Sequence, residues 1–145
     1  MIVGGIILDT NVLSELMRLQ PDPLVLEWFS RQTGETFYIT AITRSEIMLG
    51  IALLPAGNRR DALADAAGKM FHEDFFGNCL PFDESCADLY ASVVASRRRS
   101  GFSITTEDAQ IAAIALSRML PLATRNTKDF LHIEWLTLHN PWSQQ

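Results

Sequence analysis

With 145 residues, 48% of them hydrophobic and 20% charged, the chain has the size of one domain that can bury a core, with no room for a second. A formal net charge of -5 and a pI near 5.1 argue against a protein that coats nucleic acid through a broad basic face. Cys79 and Cys86 are the only cysteines and fit neither a CxxC nor a zinc pattern, so a disulfide or structural zinc has little support and a reducing cytoplasm is expected. No apolar run approaches the ~18 residues of a membrane span, and the first one lacks a basic lead, so neither a transmembrane helix nor a signal peptide is expected.

In chain order, Ile2 to Leu8 is apolar without polar alternation, which suits a strand covered on both faces in a parallel sheet. It stops at Asp9-Thr10-Asn11, where Asn11 or Thr10 can cap a short helix to about Arg18. Asp22 as N-cap, with Pro23 at the first helical position, starts a second helix that ends before Gly34. Thr36 to Thr40 reads as a strand of β-formers. Thr43-Arg44-Ser45-Glu46 then matches a capping box, ahead of an apolar face formed by Ile47, Gly50, Ile51 and Leu54. Arg59 to about Phe71 is a further helix, and Cys79 to Phe82 a short strand. Asp83 caps a helix running through Arg97-Arg98-Arg99 to a stop at Gly101. A helix from Glu107 places Asp108, Ile111, Ala112, Ala115, Leu116 and Met119 on one face. Leu120 to Thr124 is a strand, Arg125 to Phe130 a turn, and Glu134 to Leu138 a last strand. Alternating strands and helices predict an α/β fold with a mostly parallel sheet between helices.

A carboxylate that ends a buried strand is costly unless it is paired, hydrogen-bonded or holding a metal, so Asp9 needs partners. Glu46 could merely complete its capping box, and Asp108 could merely favour a helix N-terminus. Both, however, lie one turn before residues on the apolar face of their helices, as solvated cap acids have no reason to do. This predicts that Asp9, Glu46 and Asp108 converge in one cleft. Crowded carboxylates repel one another unless a cation lies between them, and an all-oxygen set suits Mg²⁺ or Mn²⁺, one ion or two. Such an ion polarises a phosphoryl oxygen and activates water, while Arg97, Arg98, Arg99, Arg125 and Lys128 are candidates to hold the flanking phosphate backbone. His72, His132 and His139 are scattered and read as structural or surface residues. Trp28, Phe29, Phe71, Phe75 and Phe76 read as core, or, where exposed, as a groove for a partner segment.

The blocks LDTNVLSEL, AITRSEIMLGIALL, TTEDAQIAAIA and LATRNTKDF, in this order and followed by NPW, resemble the motif blocks of PIN-domain ribonucleases over nearly the whole chain. More narrowly, they resemble the VapC toxins of bacterial toxin–antitoxin modules, in the FitB and StbB branch. The resemblance implies one PIN domain over residues 1–145, a three-layer fold and a metal-dependent endoribonuclease whose acidic core is Asp9, Glu46 and Asp108. It places Thr10, Asn11 and Thr124 as polar neighbours of the metals. A fourth acidic position falls on Asn126, with Asp129 as the nearest carboxylate. It further implies a VapB- or FitA-like antitoxin, contact with operator DNA only through that antitoxin, a homodimer, and a role in plasmid stability. Two alternatives stand beside it. One is a non-catalytic binding module on the same fold. The other is a haloacid-dehalogenase-type phosphatase, which needs a second Asp where Asn11 stands.

Overall fold

The computed structural model describes residues 4–143; Ile2 and Val3, part of the expected first strand, lie outside them. In chain order the elements are β1 (Ile6–Leu8), α1 (Thr10–Leu16), α2 (Pro23–Ser30), β2 (Phe37–Thr40), α3 (Ala41–Ala52), α4 (Asn58–Lys69), β3 (Cys79–Leu80), α5 (Glu84–Arg99), α6 (Thr106–Arg118), β4 (Leu122–Ala123) and β5 (Leu138–His139). A π-helical turn, Met70–Asp74, extends α4, and a 3-10 turn, Thr127–Phe130, follows β4. The strands form one parallel sheet in the order β3-β2-β1-β4-β5, with Ile6 beside Phe37, Ile7 beside Leu122, Ile39 beside Cys79 and Leu122 beside Leu138. The chain builds outward from β1 to β3, then returns to β1's other side with β4. The order therefore reverses between β1 and β4, and at such a switch point an open α/β sheet leaves a crevice beyond its strand ends.

Helices cover both faces, so β1 is apolar at every position. Ile7 packs with Ala112, Ile114, Val93 and Phe130 under α5 and α6, whereas Ile6 and Leu8 pack with Val12, Leu13, Trp28, Ile47 and Phe71 under α1 to α4. The alanines of α6 are fully buried, Ala109, Ala112, Ala113 and Ala115 among them, which lets this helix lie close to both the sheet and α5.

Several local expectations are corrected. Asp9 itself, rather than Thr10 or Asn11, caps α1. Likewise α3 begins at Ala41, with the Thr40 hydroxyl accepting from the Thr43 amide; Thr43 is inside the helix and buried, so the capping box around Glu46 does not form. Met119 leaves the apolar face of α6: it ends the helix in a left-handed conformation with φ 54° and is exposed. The last strand is Leu138–His139 rather than Glu134 to Leu138, because Trp135, at φ 71°, sits in a turn that extended pairing cannot accommodate. Of the aromatic residues, Trp28, Phe71 and Phe75 are core and Phe76 is exposed. Among the described residues, no helix is long and apolar enough to cross a membrane.

Candidate active site

Asp9 stands at the C-terminal end of β1, in the crevice between β1 and β4, and is 4% exposed. Both of its oxygens are engaged. Oδ1 accepts from the Thr10 amide at 2.8 Å, and Oδ2 accepts from the Thr124 hydroxyl at 2.7 Å and the Asn11 side-chain amide at 3.2 Å. Asn11 braces the crevice across its width, since its carbonyl oxygen accepts from the Arg125 amide at 3.0 Å and its amide reaches Thr124 at 3.3 Å. Thr124 in turn accepts from the Asn126 amide at 3.1 Å. The two loops that leave β1 and β4 are thus tied together through Asp9.

Glu46 reaches the same crevice from α3, where the Thr10 hydroxyl donates to its Oε1 at 2.8 Å. It is an exposed rim residue, less enclosed than its place one turn before the apolar face predicts. Asp108 enters from the first turn of α6, half-buried, above Thr105, whose hydroxyl accepts from the Asp108 amide at 3.1 Å. Asp129 lies on the 3-10 turn after β4, near enough to act on both Asp9 and Asp108.

The carboxyl pKa values record this crowding. Burial raises Asp9 above the ordinary range, partly offset by its hydrogen bonds from Thr124, Thr10 and Asn11, with Asp129 adding repulsion. Burial and the charges of Asp9 and Glu107 raise Glu46 against the bond from Thr10. Asp108 is pushed up to about 6, first by burial, then by Asp9, with Asp129 and Glu46 contributing. Glu107, in the first turn of α6, therefore takes part in the field of the crevice. Its helical neighbour Asp108 masked it, since nothing in local spacing says that two successive residues can both act there.

Among the described residues, no group of three acidic, histidine or cysteine side chains is drawn together tightly enough to enclose an ion unaided. Mg²⁺ usually keeps several waters and takes only one or two carboxylates from the protein. The donor chemistry fits such an ion: carboxylates with raised pKa values, no thiolate, and hydroxyl and amide donors that already orient them.

The basic residues divide. Arg97 is withdrawn from any role on a nucleic-acid backbone: it is 3% exposed, its guanidinium donates to the backbone oxygens of Leu131 and Ser103, and it lies over the Phe102 ring. Burial on α5 rather than its place in an arginine run decided this. Arg98, Arg99, Arg125 and Lys128 are exposed, with Arg125 stacked over Trp142 at 4.9 Å. A cavity of about 690 Å³ lies away from the carboxylates, between α5, the C-terminal half of α6 and the 132–137 turn, and is chiefly apolar. A shallower groove of about 420 Å³ runs between α1, α3 and α4, lined by Met17, Ile47, Ile51, Leu54 and Leu63, and ends at Thr10 and Glu46.

Residues 6–136 match the PIN domain family. The chain is 42% identical to the plasmid stability protein StbB of Pseudomonas syringae pv. tomato, over 94% of this chain and 98% of that protein. It is 39% identical to the VapC ribonuclease Y4jK of Sinorhizobium fredii, over 94% of this chain and 97% of that one. The structure of FitAB bound to an IR36 DNA fragment contains a chain that superposes with a TM-score of 0.88 at 36% identity, with 97% of each chain covered. The family match, the sequence identities and the superposition agree, and the chain belongs to the PIN domain family.

Proposed function

We propose that the protein is an endoribonuclease, the toxin of a toxin–antitoxin module, which hydrolyses RNA phosphodiester bonds in the crevice between β1 and β4. One observation carries this reading: Asp9, Glu46 and Asp108 arrive from three different elements at the switch point, and each has a raised pKa. The names of the relatives, a VapC ribonuclease and a plasmid stability protein, support the same activity and role.

In this reading Asp9, Glu46 and Asp108 hold Mg²⁺ or Mn²⁺, one ion or two. When bound, the ion polarises the scissile phosphate and makes a water nucleophilic near neutral pH. Asp129, rather than Asn126, supplies the fourth carboxylate, because its charge reaches both Asp9 and Asp108. Thr124 and Asn11 hold Asp9 with its second oxygen accepting, and Thr10 holds Glu46 toward the crevice. Arg98, Arg99, Arg125 and Lys128, exposed around the same end, steady the flanking backbone. The net negative charge is then no obstacle at the scissile bond, where the cation would offset the carboxylates of the crevice.

The antitoxin is a VapB- or FitA-like chain that lays an apolar segment in the groove between α1, α3 and α4. Phe29 and Phe75, from the aromatic residues that the sequence singles out, line a separate hollow of about 400 Å³, and Phe76 is exposed. Operator DNA is met only through that partner. The whole chain works as one PIN domain, as a homodimer in the cytoplasm.

Partner-free protein incubated with structured RNA in Mg²⁺ or Mn²⁺ should cleave it, and Asp108→Asn should lower the rate by at least about 100-fold, the scale of losing a group that acts on the reacting phosphate. Equal cleavage by the two proteins would overturn the site.

A further inference from the structure

The Glu46 carboxylate is held by a chain of hydroxyls that leads into the core. Thr10 Oγ1 donates to Glu46 Oε1 at 2.8 Å, Thr10 Oγ1 and Thr43 Oγ1 lie 3.0 Å apart, and Thr40 Oγ1 makes a longer contact of 3.5 Å with Thr43 Oγ1. Thr40 and Thr43 are both fully buried. Each hydroxyl carries one proton, which settles the direction. The ionised Glu46 can only accept, so the Thr10 proton is committed to it. Thr43 must therefore donate to Thr10, and Thr40 to Thr43, while Thr40 accepts from the Thr43 amide at 3.1 Å. The opposite direction would set a Thr10 lone pair against the carboxylate at 2.8 Å.

We propose that Thr43 is a positioning residue for the cation site: by donating its buried hydroxyl proton to Thr10, it commits Thr10's proton to Glu46 and aims that carboxylate into the crevice. The inference rests on the reading of Glu46 as a cation ligand. Thr43 touches neither Glu46 nor the crevice directly; it acts through Thr10, two elements meeting where α1 and α3 pack. Without the Thr43 hydroxyl, Thr10 loses the donor that fixes its rotamer. Glu46, an exposed side chain on a helix rim, then recovers the rotamer freedom that it otherwise surrenders.

Thr43→Val keeps the shape and removes the hydroxyl; Thr43→Ser keeps the hydroxyl. With each full-length variant held well below its melting midpoint, two quantities are measured: the Glu46 carboxyl ¹³C resonance without metal, and the affinity for Mn²⁺ by titration calorimetry. Thr43→Val should shift the Glu46 resonance and weaken Mn²⁺ binding roughly 10-fold or more, the usual scale for losing a partner that orients a ligand. Thr43→Ser should restore both. The proposal falls if Thr43→Val leaves the Glu46 resonance and Mn²⁺ affinity unchanged, or if Thr43→Ser is as impaired as Thr43→Val. Glu46→Gln, run alongside, separates this from the reading beneath it. Mn²⁺ affinity unaffected by Glu46→Gln overturns the assignment of Glu46 as a ligand, whereas affinity lost in Glu46→Gln but kept in Thr43→Val overturns only the role of Thr43.

Discussion

Asp9 accepts three hydrogen bonds, from a backbone amide, a hydroxyl and a side-chain amide, and its pKa is nevertheless raised because burial outweighs them. Asp108 has fewer such donors and more acidic neighbours, and goes up to about 6. The sign of its contribution to stability follows. An unfolded Asp titrates near 3.8, so between about 4 and 6 the folded protein holds the extra proton. Ionising Asp108 as pH rises through this window therefore costs stability in the metal-free protein. The melting temperature of the metal-free protein should be higher at pH 5 than at pH 7, and the difference should shrink in Asp108→Asn, whose amide does not titrate. A melting temperature with the same pH dependence in both proteins would contradict the crowding. Added Mg²⁺ should raise the wild-type melting temperature most at the neutral end, where the carboxylates are ionised and the ion competes with fewer protons.

At the scale of elements, α5 and α6 are locked to their loops by Arg97. Its two terminal nitrogens span the Ser103 carbonyl, on the loop before α6, and the Leu131 carbonyl, after the 3-10 turn. Since α6 carries Asp108 and the 3-10 turn carries Asp129, this buried side chain holds the framework on which two acids stand. Arg97→Ala should lower the unfolding free energy by roughly 2–4 kcal/mol, by stranding two carbonyls and emptying the space beside Phe102. Lysine should rescue it poorly, because a single ammonium cannot span both acceptors. Chemical denaturation measures this, and a variant as stable as wild type would contradict the bracing role. Arg98→Ala and Arg99→Ala, on exposed positions, should leave stability within about 0.5 kcal/mol while weakening RNA binding at low salt.

For the molecule as a whole, the crevice is a consequence of the strand order. Two successive helical crossovers lay β2 and β3 on one side of β1, and the return to β4 brings α6 and the 3-10 turn opposite them. Asp9 and Thr124 meet only through this return, whereas Thr10 and Thr43 meet where α1 packs on α3. In the toxin reading, expressing the chain without a partner should arrest growth, and Asp9→Ala should relieve the arrest at equal protein level. Toxicity that survives the change would exclude a mechanism through this crevice.

The parallel α/β architecture was legible in the residues because its cause is local: β-branched runs without polar alternation, and helices marked by Asp22, Pro23 and Asp83. The three candidate acids stood out in the sequence for a related reason, since a carboxylate next to an apolar stretch is anomalous wherever the chain goes. What spacing could not supply was which donors and neighbours each polar group would meet. Thr43 and Glu46 read as a capping box, and Arg97 as one of three surface arginines. Tertiary packing started α3 three residues earlier, gave Glu46 to Thr10 and drew Arg97 inside. Local sequence sets which groups must find partners, because burial without them is costly; only the folded chain decides which partners those are, since hydrogen bonds across 33 or 115 residues depend on strand order and helix packing.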